Sequence, residues 1–411
     1  MKYLFFCIAV IILSGCSSYK ADSNSPQNLA TRAVIVNSTL TTIPPMIKTL
    51  TPTLPPTKTK LPISFPIPQG MPLTESLKVI NAENINNLIL VRKISTEELY
   101  PYLFTMNFSP DSKYLAMPLT INQFPQKFFW ICNVYIGNCE AFDGSDAVFS
   151  TNGKMIAIYY DGFGIKIWSQ ADRKPIESIK TFEGFKRPIY FSPDSEKIAI
   201  NTANSLNIYQ ISDWSLVKEL PSRISGGQGS VNLSPDWSTY VTGEDRYIRS
   251  LSDGTIIGDF GGFGVYSSTG AVLVNSSRDF KKTQIWQVLP FKQMYNTILP
   301  CVYWFDRIPF SPKDDIYAVT VNTRCWPGQT GDLVMIASER NGVISWNKME
   351  KTDHFMLTIW RTSDGQLLRV LDLGENDAVS RLFSPDGKLL VIVAKQANSS
   401  PKYEIQLWGV P

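Results

Sequence analysis

The stretch FSPDGKLLVIVAK, residues 383–395, joins a six-residue turn signature to an apolar run, and the signature recurs along the chain. Six other copies precede it, beginning at Phe108 (FSPDSK), Phe149 (FSTNGK), Phe191 (FSPDSE), Leu233 (LSPDWS), Tyr266 (YSSTGA) and Phe310 (FSPKDD). Successive copies begin 41, 42, 42, 33, 44 and 73 residues apart. A repeat of about 40 residues that holds several short strands is typical of a β-propeller blade.

Each signature is followed by two further strand patterns, of which the second ends in an aromatic residue in most copies. Runs such as KMIAIYY, residues 154–160, show the alternation of half-buried antiparallel strands. The third strands end at Trp168, Tyr209, Trp286, Trp360 and Trp408, with YIRSL near Arg249 in the fourth copy and Cys132 in the first. A turn and an outer strand follow most of them, so we predict an all-β, seven-bladed propeller of four-stranded antiparallel blades over residues 79–411.

The last repeat lacks an outer strand of its own, because the sequence ends three residues after Trp408. The segment INAENINNLILVRKIS, residues 80–95, precedes the first repeat and has the pattern of a strand. We therefore expect residues 88–94 to pair beside residues 405–408. This N-terminal strand would complete the last blade and remove an exposed sheet edge.

The recurring FSPDGK and IW elements resemble those of WD-repeat propellers of the bacterial exported type, over residues 80–411. The pattern of the eukaryotic WD repeats carries Gly-His before the first strand and Asp after the Trp. Here His354 is the single histidine, and Ser169, Gln287, Arg361 and Gly409 follow the tryptophans. We expect packing and backbone ladders to hold the blades without a histidine-centred network. Propeller families with a similar turn, including those that resemble the periplasmic component of the Tol system, remain alternatives.

The first 15 residues have the pattern of a bacterial export signal, in which Lys2 precedes an apolar stretch too short to span a bilayer stably. The ending LSGC at Cys16 resembles a lipoprotein lipobox, which implies cleavage before Cys16 and acylation of that residue. An ordinary signal peptide is the alternative. We expect residues 1–15 to be a lipoprotein signal peptide and the mature chain to be extracytoplasmic in the cell envelope, anchored to the membrane by lipid alone.

Residues 16–78 read as a lipidated Cys followed by a Thr/Pro-rich disordered tether. Proline fixes φ and removes a backbone donor, so such a segment favours solvated, extended backbone. Packing of its last dozen residues against the propeller remains open.

The composition also bears on possible partners. A net charge of +3 on 411 residues lacks the excess of positive charge that is typical of proteins that bind nucleic acid.

The loop between the second and third strands differs in length from blade to blade. From the start of each signature to the end of the third strand the chain takes 24, 19, 18, 16, 20, 50 and 25 residues. The long loops therefore belong to blades six, seven and one, which are neighbours in a closed ring. Long loops on a rigid scaffold are where binding usually resides, so we predict a recognition surface in this sector.

The insertion of blade six spans residues 322–355 and is rich in the residue types found at interface hot spots. Blade one adds Phe128 and Phe129, and blade seven adds Tyr403. The insertion's own candidates for partner binding are Arg324, Trp326, Arg340, Trp346, His354 and Phe355. The alternative is a decorative hairpin, formed by VMIAS and ISW, whose aromatic side chains pack on the ring.

Four cysteines remain after Cys7 of the signal and Cys16, an even number in an exported chain. Cys132 and Cys139 flank the turn of one hairpin, and Cys301 and Cys325 fall on the same face by the repeat alignment. Topology favours these two pairs among the three pairings that four cysteines allow. Structural disulfides fit better than zinc, because the C-x6-C spacing without a histidine pair is a poor ligand set.

The sequence offers no catalytic residue, metal ligand or cofactor motif. A single histidine excludes a histidine-rich metal centre, and there is no G-x-S-x-G elbow, glycine-rich phosphate loop or dinucleotide fingerprint. The Asp and Gly of the SPDG signatures are the cap and the positive-φ position of a turn. We therefore expect a non-enzymatic module for protein–protein interaction. The alternative is a carbohydrate-binding or hydrolytic propeller, or an accessory subunit of an envelope hydrolase. A glycosidase needs only two carboxylates, and these could converge from distant blades without leaving a motif in the sequence.

Overall fold

The chain folds into antiparallel strands, and the one helical element in the described ranges is a single 3₁₀ turn, Ile85–Asn87. The structure is a computed structural model. It describes residues 72–73, 76–96, 100–101, 106–120, 128–160, 164–172, 174–176, 186–202, 205–221, 231–242, 246–261, 264–276, 283–298, 309–322, 333–340, 343–350, 355–373, 377–395 and 403–411. These residues belong to one compact unit, Leu61–Pro411. Within them, no helix has the length and apolar character needed to cross a membrane.

The first blades follow the N-terminal strand β1 (Ile89–Thr96) in chain order. Blade one contains β2 (Tyr100–Pro101), β3 (Asn107–Phe108), β4 (Tyr114–Thr120), β5 (Phe128–Asn133) and β6 (Asn138–Asp143). Blade two contains β7 (Asp146–Phe149), β8 (Met155–Tyr160) and β9 (Gly164–Ser169). Blade three contains β10 (Lys186–Phe191), β11 (Lys197–Asn201), β12 (Ser205–Gln210) and β13 (Leu216–Pro221).

The next blades continue the pattern. Blade four contains β14 (Val231–Leu233), β15 (Thr239–Thr242), β16 (Tyr247–Ser250) and β17 (Ile256–Asp259). Blade five contains β18 (Gly264–Tyr266), β19 (Val272–Ser276), β20 (Thr283–Gln287) and β21 (Lys292–Ile298). Blade six contains β22 (Ile316–Asn322), β25 (Phe355–Arg361) and β26 (Leu367–Asp372), with the inserted strands β23 (Leu333–Arg340) and β24 (Val343–Glu350) between β22 and β25.

Blade seven contains β27 (Asp377–Phe383), β28 (Leu389–Lys395) and β29 (Tyr403–Gly409), and β1 pairs with β29 at its outer edge. The register joins Leu90 to Trp408 and Ile94 to Ile405. The predicted closure by the N-terminal strand is therefore confirmed. In blades two and six an isolated bridge marks the position of the fourth strand, at Pro175 and Phe310 respectively. The predicted fold of seven four-stranded antiparallel blades is confirmed as well.

The core lies between the blades, with one hydrophobic cluster in each of the seven gaps of the ring. Strand β28 shows the reason. Leu389, Val391 and Val393 join the cluster shared with blade one, whereas Leu390 and Ile392 join the cluster shared with blade six. Successive side chains of a strand point to opposite faces, so a strand between two neighbours must be apolar on both.

The segment before β1 also packs on the ring. Leu77 is buried in the cluster between blades seven and one, and the amide of Leu73 donates to the carbonyl of Tyr135 at 3.0 Å. The amide of Ile80 donates to Gly387 at 2.8 Å, and the side chain of Arg369 donates to the carbonyl of Ile85. The end of the expected tether thus contacts the propeller, as the packing alternative allowed.

The seven turn signatures share one conformation. Their fifth residues all have positive φ, between 57° and 83°: Ser112, Gly153, Ser195, Trp237, Gly270, Asp314 and Gly387. Glycine is thus used in three of the seven turns, and four side-chain-bearing residues occupy a region that L residues rarely adopt. Each turn is held by its second residue, a buried serine whose hydroxyl accepts the backbone N–H of the seventh residue.

The tryptophans at the ends of the third strands make short local hydrogen bonds in three blades. Trp360 Nε1 donates to Thr358 at 2.9 Å, and Trp286 Nε1 donates to Asn275 at 2.8 Å. In blade seven, Trp408 donates to Gln406, which donates to Glu404, and Glu404 pairs with Lys93 of β1 at 2.9 Å. The ring is therefore held by packing, by backbone hydrogen bonds between strands and by these indole hydrogen bonds. The series of contacts from Trp408 to Lys93 joins β1 to the blade that β1 completes.

Candidate functional site

The insertion of blade six leaves the propeller between β22 and β25, where the sequence predicted it. Asn322 and Phe355 are directly paired across these strands, so the intervening residues depart from and return to one point of the blade. Between those residues, β23 and β24 form a hairpin whose register runs without a shift from Leu333 opposite Glu350 to Arg340 opposite Val343. The hairpin alternative is thus the one observed for the backbone.

The hairpin extends blade five instead of standing beside blades seven and one. Strand β23 pairs with β21, with Asn296 opposite Glu339 and Ile298 opposite Ala337, which makes a six-stranded sheet. The insertion therefore lies beside blade five, and not beside blades seven and one as the loop lengths had suggested. The physical reason is that β21 is the outer strand of its blade, so the backbone groups on its outer edge are free to pair with β23.

Of the eight predicted partner-binding residues, four lie at described strand positions, three lie outside the described ranges, and Tyr403 is buried. Arg340 lies at the end of β23, Trp346 lies in β24, and Phe355 and Phe128 begin β25 and β5. The residues that lie outside the described ranges are Arg324, Trp326 and His354, together with Cys16, Cys301 and Cys325. The structure therefore brings Arg340 and Trp346 together on one hairpin, and the pairing of Cys301 with Cys325 stays a prediction.

Two aromatic residues that the sequence assigned to this surface are buried. Tyr403 is 8% exposed and packs in the cluster between blades seven and one. Phe129 is 0% exposed and stacks on Phe142 with ring centroids 5.5 Å apart. Little of Tyr403 and none of Phe129 is left to contact a partner, because alternation places both on blade-packing faces.

The predicted pair of Cys132 and Cys139 forms a disulfide across the β5–β6 hairpin, with the two residues directly opposite in register. Cys132 is fully buried in the cluster between blades seven and one. Its position corresponds to that of Trp360 in blade six, which fills the gap towards blade five. The disulfide therefore occupies, in blade one, the place of the indole that packs against the neighbouring blade elsewhere.

The carboxylates repeated around the ring cap their own turns. Asp194 accepts hydrogen bonds from the hydroxyl of Ser192 and from the amide of Glu196, and these bonds lower its pKa. Burial alone would raise the pKa of Asp236, but hydrogen bonds from Ser234 and Ser238 lower it below its usual value. Both shifts have the direction that hydrogen bonds within a capped turn produce, whereas a general acid would need a raised pKa.

No group of three or more His, Cys, Asp or Glu side chains with metal-binding geometry occurs among the residues that the structure describes.

The turn of blade five has Thr269 where four other turns have an aspartate, and it is bonded instead to a carboxylate of the next blade. Ser267 donates to Asp314 of blade six at 2.5 Å, and Thr269 donates to the same side chain. Asp314 thus holds the turn of blade five to blade six.

A cavity of about 260 Å³ is lined by residues of blade one and of blades four to seven. Its walls include Met106, Tyr266, Phe310, Arg381 and Phe383. Arg381 is 6% exposed, and its Nε donates to the carbonyl of Ala318 at 3.5 Å. The arginine in this wall is therefore bonded to the backbone of blade six.

No protein-family model matches the sequence, and no curated protein matches it. Among solved structures, the chain is similar to the crystal structure of the Cps50 (Swd1) β-propeller domain of Myceliophteria thermophila, with a TM-score of 0.51 and 11% identity. The similarity covers 77% of this chain and 100% of that one. At this identity the likeness shows the fold alone, a WD-repeat-like seven-bladed β-propeller.

Proposed function

We propose that this chain is a membrane-anchored, extracytoplasmic β-propeller of a bacterial cell envelope that binds a protein partner through the insertion of blade six. The observation that carries the proposal is the hairpin β23–β24, which enlarges blade five to a six-stranded sheet. The hairpin lies between β22 and β25 in the sequence and adds two strands to the outer edge of blade five.

The chemistry of the hairpin supports protein recognition. Arg340 and Trp346 are residue types that concentrate binding energy at interfaces, and both lie on the strands of this hairpin. The signal pattern and Cys16 support the anchor, because an acylated cysteine needs no transmembrane helix. A rigid ring on a long tether would then present this surface at a distance from the bilayer.

The test joins Asn322 to Phe355 by a short Gly-Ser linker, which removes the insertion at a point where the two residues are already paired. The variant and the native protein are crosslinked in the cells that produce them, and the captured proteins are compared by mass spectrometry. We expect the same circular dichroism spectrum for both and the loss of a partner from the variant. A double substitution of the exposed Leu216 and Val217 by Ala serves as the control and should retain the partner.

Two results would reject the proposal. A partner captured equally well by the linker variant would place recognition elsewhere on the ring. Collapse of the variant's fold would make the insertion part of the core, and the double variant Arg340→Ala/Trp346→Ala would then have to lose the partner for the proposal to survive.

The anchor is tested separately with Cys16→Ser, which should move the protein from the membrane fraction to the soluble fraction. Retention in the membrane fraction would contradict lipidation.

A further inference from the structure

The hairpin β23–β24 leaves the backbone of its second strand at the end of a sheet. Strand β24, Val343–Glu350, pairs with β23 on one side, and no strand in the described ranges pairs with it on the other. The outer edge of such a strand carries a row of amides and carbonyls that can pair with a further strand. Strand β24 therefore offers an edge eight residues long for pairing.

The outer strands of the other blades have features that hinder such pairing. In blade one, β6 carries the two acidic residues Glu140 and Asp143, and in blade two Pro175 occupies the outer position. A bulge, which bends and twists an edge strand, is the feature of four further blades. Strands β1, β13, β17 and β26 each contain one extra residue where their register with the third strand shifts: Val91, Val217, Ile257 and Leu368.

Strand β24 has none of these features. Its register with β23 runs over eight residue pairs without a shift. Its sequence, VISWNKME, contains no proline, and its one lysine and one glutamate leave the strand without net charge. Proteins usually protect a long edge by bulges, prolines or charges, so the regular edge of β24 indicates that another strand covers it.

The turn of the hairpin determines which amides of β24 face outward. Only Asn341 and Gly342 separate Arg340 from Val343, and these two flanking residues are paired. In a two-residue hairpin the pair that closes the turn exchanges backbone hydrogen bonds, and such pairs then alternate with non-bonded pairs along the two strands. Every second residue from Val343 therefore bonds to β23. The outer edge presents the amides of the alternate residues, Ile344, Trp346, Lys348 and Glu350.

This edge is complementary to itself. When two copies of β24 lie antiparallel, outward residues of one copy must lie opposite outward residues of the other. The register with the most hydrogen bonds places Ile344 opposite Glu350, Trp346 opposite Lys348, and Asn347 opposite its own equivalent on the two-fold axis. Each pair of outward residues exchanges two hydrogen bonds, which gives the contact about eight. Because β24 has no net charge, two copies of the strand do not repel each other.

We propose that β24 pairs with β24 of a second copy of this chain, so that the two enlarged sheets of blade five join across a two-fold axis. Two-fold contacts of this kind are the commonest in soluble oligomers. A second copy fits this edge because symmetry gives it the same length and the matching set of outward amides. The inference goes beyond the proposed recognition of another protein and does not depend on it, since the purified chain alone suffices for the test.

The first experiment measures association of the purified full chain in detergent by sedimentation velocity, over about 1–100 μM. Lys348→Pro removes an outward amide and leaves the bonds to β23 in place, whereas Lys348→Ala removes the same charge and keeps the amide. We expect the native chain and Lys348→Ala to form dimers, and Lys348→Pro to associate at least about tenfold more weakly. Circular dichroism should show the same fold for all three chains.

Three results would overturn the proposal. A native chain that is monomeric throughout this range has no such pairing, and equal weakening by both substitutions would assign the contact to the lysine side chain instead of the backbone. Undiminished association of Lys348→Pro would place the contact elsewhere. If the native chain is monomeric and Lys348→Pro loses the partner captured in cells, the edge binds a strand of another protein and not a second copy.

A crosslink tests the register without the proline variant. Asn347→Cys places a cysteine opposite its own equivalent, at a separation that suits a disulfide. The control is Ser345→Cys, which in this register lies opposite Met349 and apart from its equivalent. On mild oxidation Asn347→Cys should form a covalent dimer and Ser345→Cys should not. Equal crosslinking of the two variants, or none in either, would contradict the proposed pairing.

Discussion

Seven buried serines hold the turns of this propeller, a role that is visible in the sequence only after the contacts are known. Ser234, for example, donates to Asp236 at 2.6 Å and accepts the amide of Thr239 at 2.9 Å. The Pro and Asp of the signature draw more attention, but Asn152, Thr269 and Lys313 replace the acid in three copies, while the serine is kept in all seven. A buried hydroxyl with both a donor and an acceptor bond is costly to lose, because its partners are left unsatisfied.

A glycine in the outer strand of blade four makes room for the turn of blade five. A Cβ atom added at Gly258 would lie 2.1 Å from the ring of Phe291, which is itself stacked on Trp286 with centroids 5.1 Å apart. We predict that Gly258→Ala lowers the free energy of unfolding by about 1–3 kcal/mol, because the added methyl group must displace the ring of Phe291 from its stack on Trp286.

Chemical denaturation of the double-mutant cycle checks this prediction. In the background of Phe291→Ala the added methyl group meets no ring, so Gly258→Ala should cost much less there than in the native protein. Equal costs in the two backgrounds would show that the ring is not the reason for the glycine.

The low pKa of Asp194 predicts a pH dependence in a defined direction. Its folded pKa lies below the ordinary 3.8, first because of the Ser192 hydroxyl and then because of the Glu196 amide. The stabilisation is therefore present above the unfolded pKa and is lost as the pH falls through the folded pKa. Asp194→Asn keeps an acceptor, as Asn152 does in blade two, and should remove this share of the acid sensitivity.

The effect should be less than about 1 kcal/mol, because the carboxylate is largely exposed and screened. Carboxyl NMR titration of Asp194 measures it directly, and melting temperatures from pH 6 to pH 2.5 compare the native chain with the variant. A midpoint at or above the ordinary aspartate value would contradict the prediction, as would identical acid sensitivity in the two proteins.

At the scale of elements, two hairpins show how this fold adds to a standard blade. The β5–β6 hairpin carries the Cys132–Cys139 disulfide where other blades place an indole, and the β23–β24 hairpin extends a neighbouring blade. Both additions rest on strand pairing. Directly opposed residues of an antiparallel pair come close enough to bond covalently, and an outer strand has backbone groups to offer.

We predict that Cys132→Ala/Cys139→Ala lowers the free energy of unfolding by about 2 kcal/mol, the value for a short closed loop. The two cysteines are separated by seven positions, and Cys132 is fully buried. Peptide mapping without reductant should find them linked in the native chain. The control variant Cys301→Ala/Cys325→Ala should retain that linkage, and a native chain with two free thiols at these positions would disprove the pairing.

At the scale of the whole molecule, the ring depends on a strand from the N-terminal side of the first blade. Strand β1 supplies Val91 and Ile94 to the cluster between blades seven and one, and Arg92, which is fully buried, donates to the carbonyl of Val134 at 3.1 Å. The burial of that guanidinium lowers its pKa. One strand thus contributes backbone pairing, apolar packing and a buried donor to the seam of the ring.

We predict that Ile94→Ala lowers the free energy of unfolding by about 2–4 kcal/mol, and that truncation through residue 96 prevents a cooperative fold. Ile94 is 1% exposed, and the truncation leaves β29 with an open edge. Val217→Ala, at a position that is 51% exposed, is the control and should be nearly neutral. Denaturant unfolding of the three chains decides the matter, and native stability in the truncated chain would mean that β1 does not close the ring.

The number of blades and the order of the strands within them could be predicted from local information, because turn residues, alternation and the aromatic at Trp360 or Trp408 each act within a few positions of the chain. The closure by β1 could be predicted because residues 80–95 have the pattern of a strand that belongs to none of the seven repeats. The pairing of Cys132 with Cys139 could be predicted for the same reason, because a short hairpin leaves them few other partners.

The position of the insertion could not be predicted in this way. The pairing of Ile298 with Ala337 joins blades five and six, and no local pattern encodes an edge that a distant hairpin will cover. The burial of Tyr403 likewise depends on which blade faces which. Long-range packing selects one among many locally equivalent surfaces, and that selection takes place in space and not along the chain.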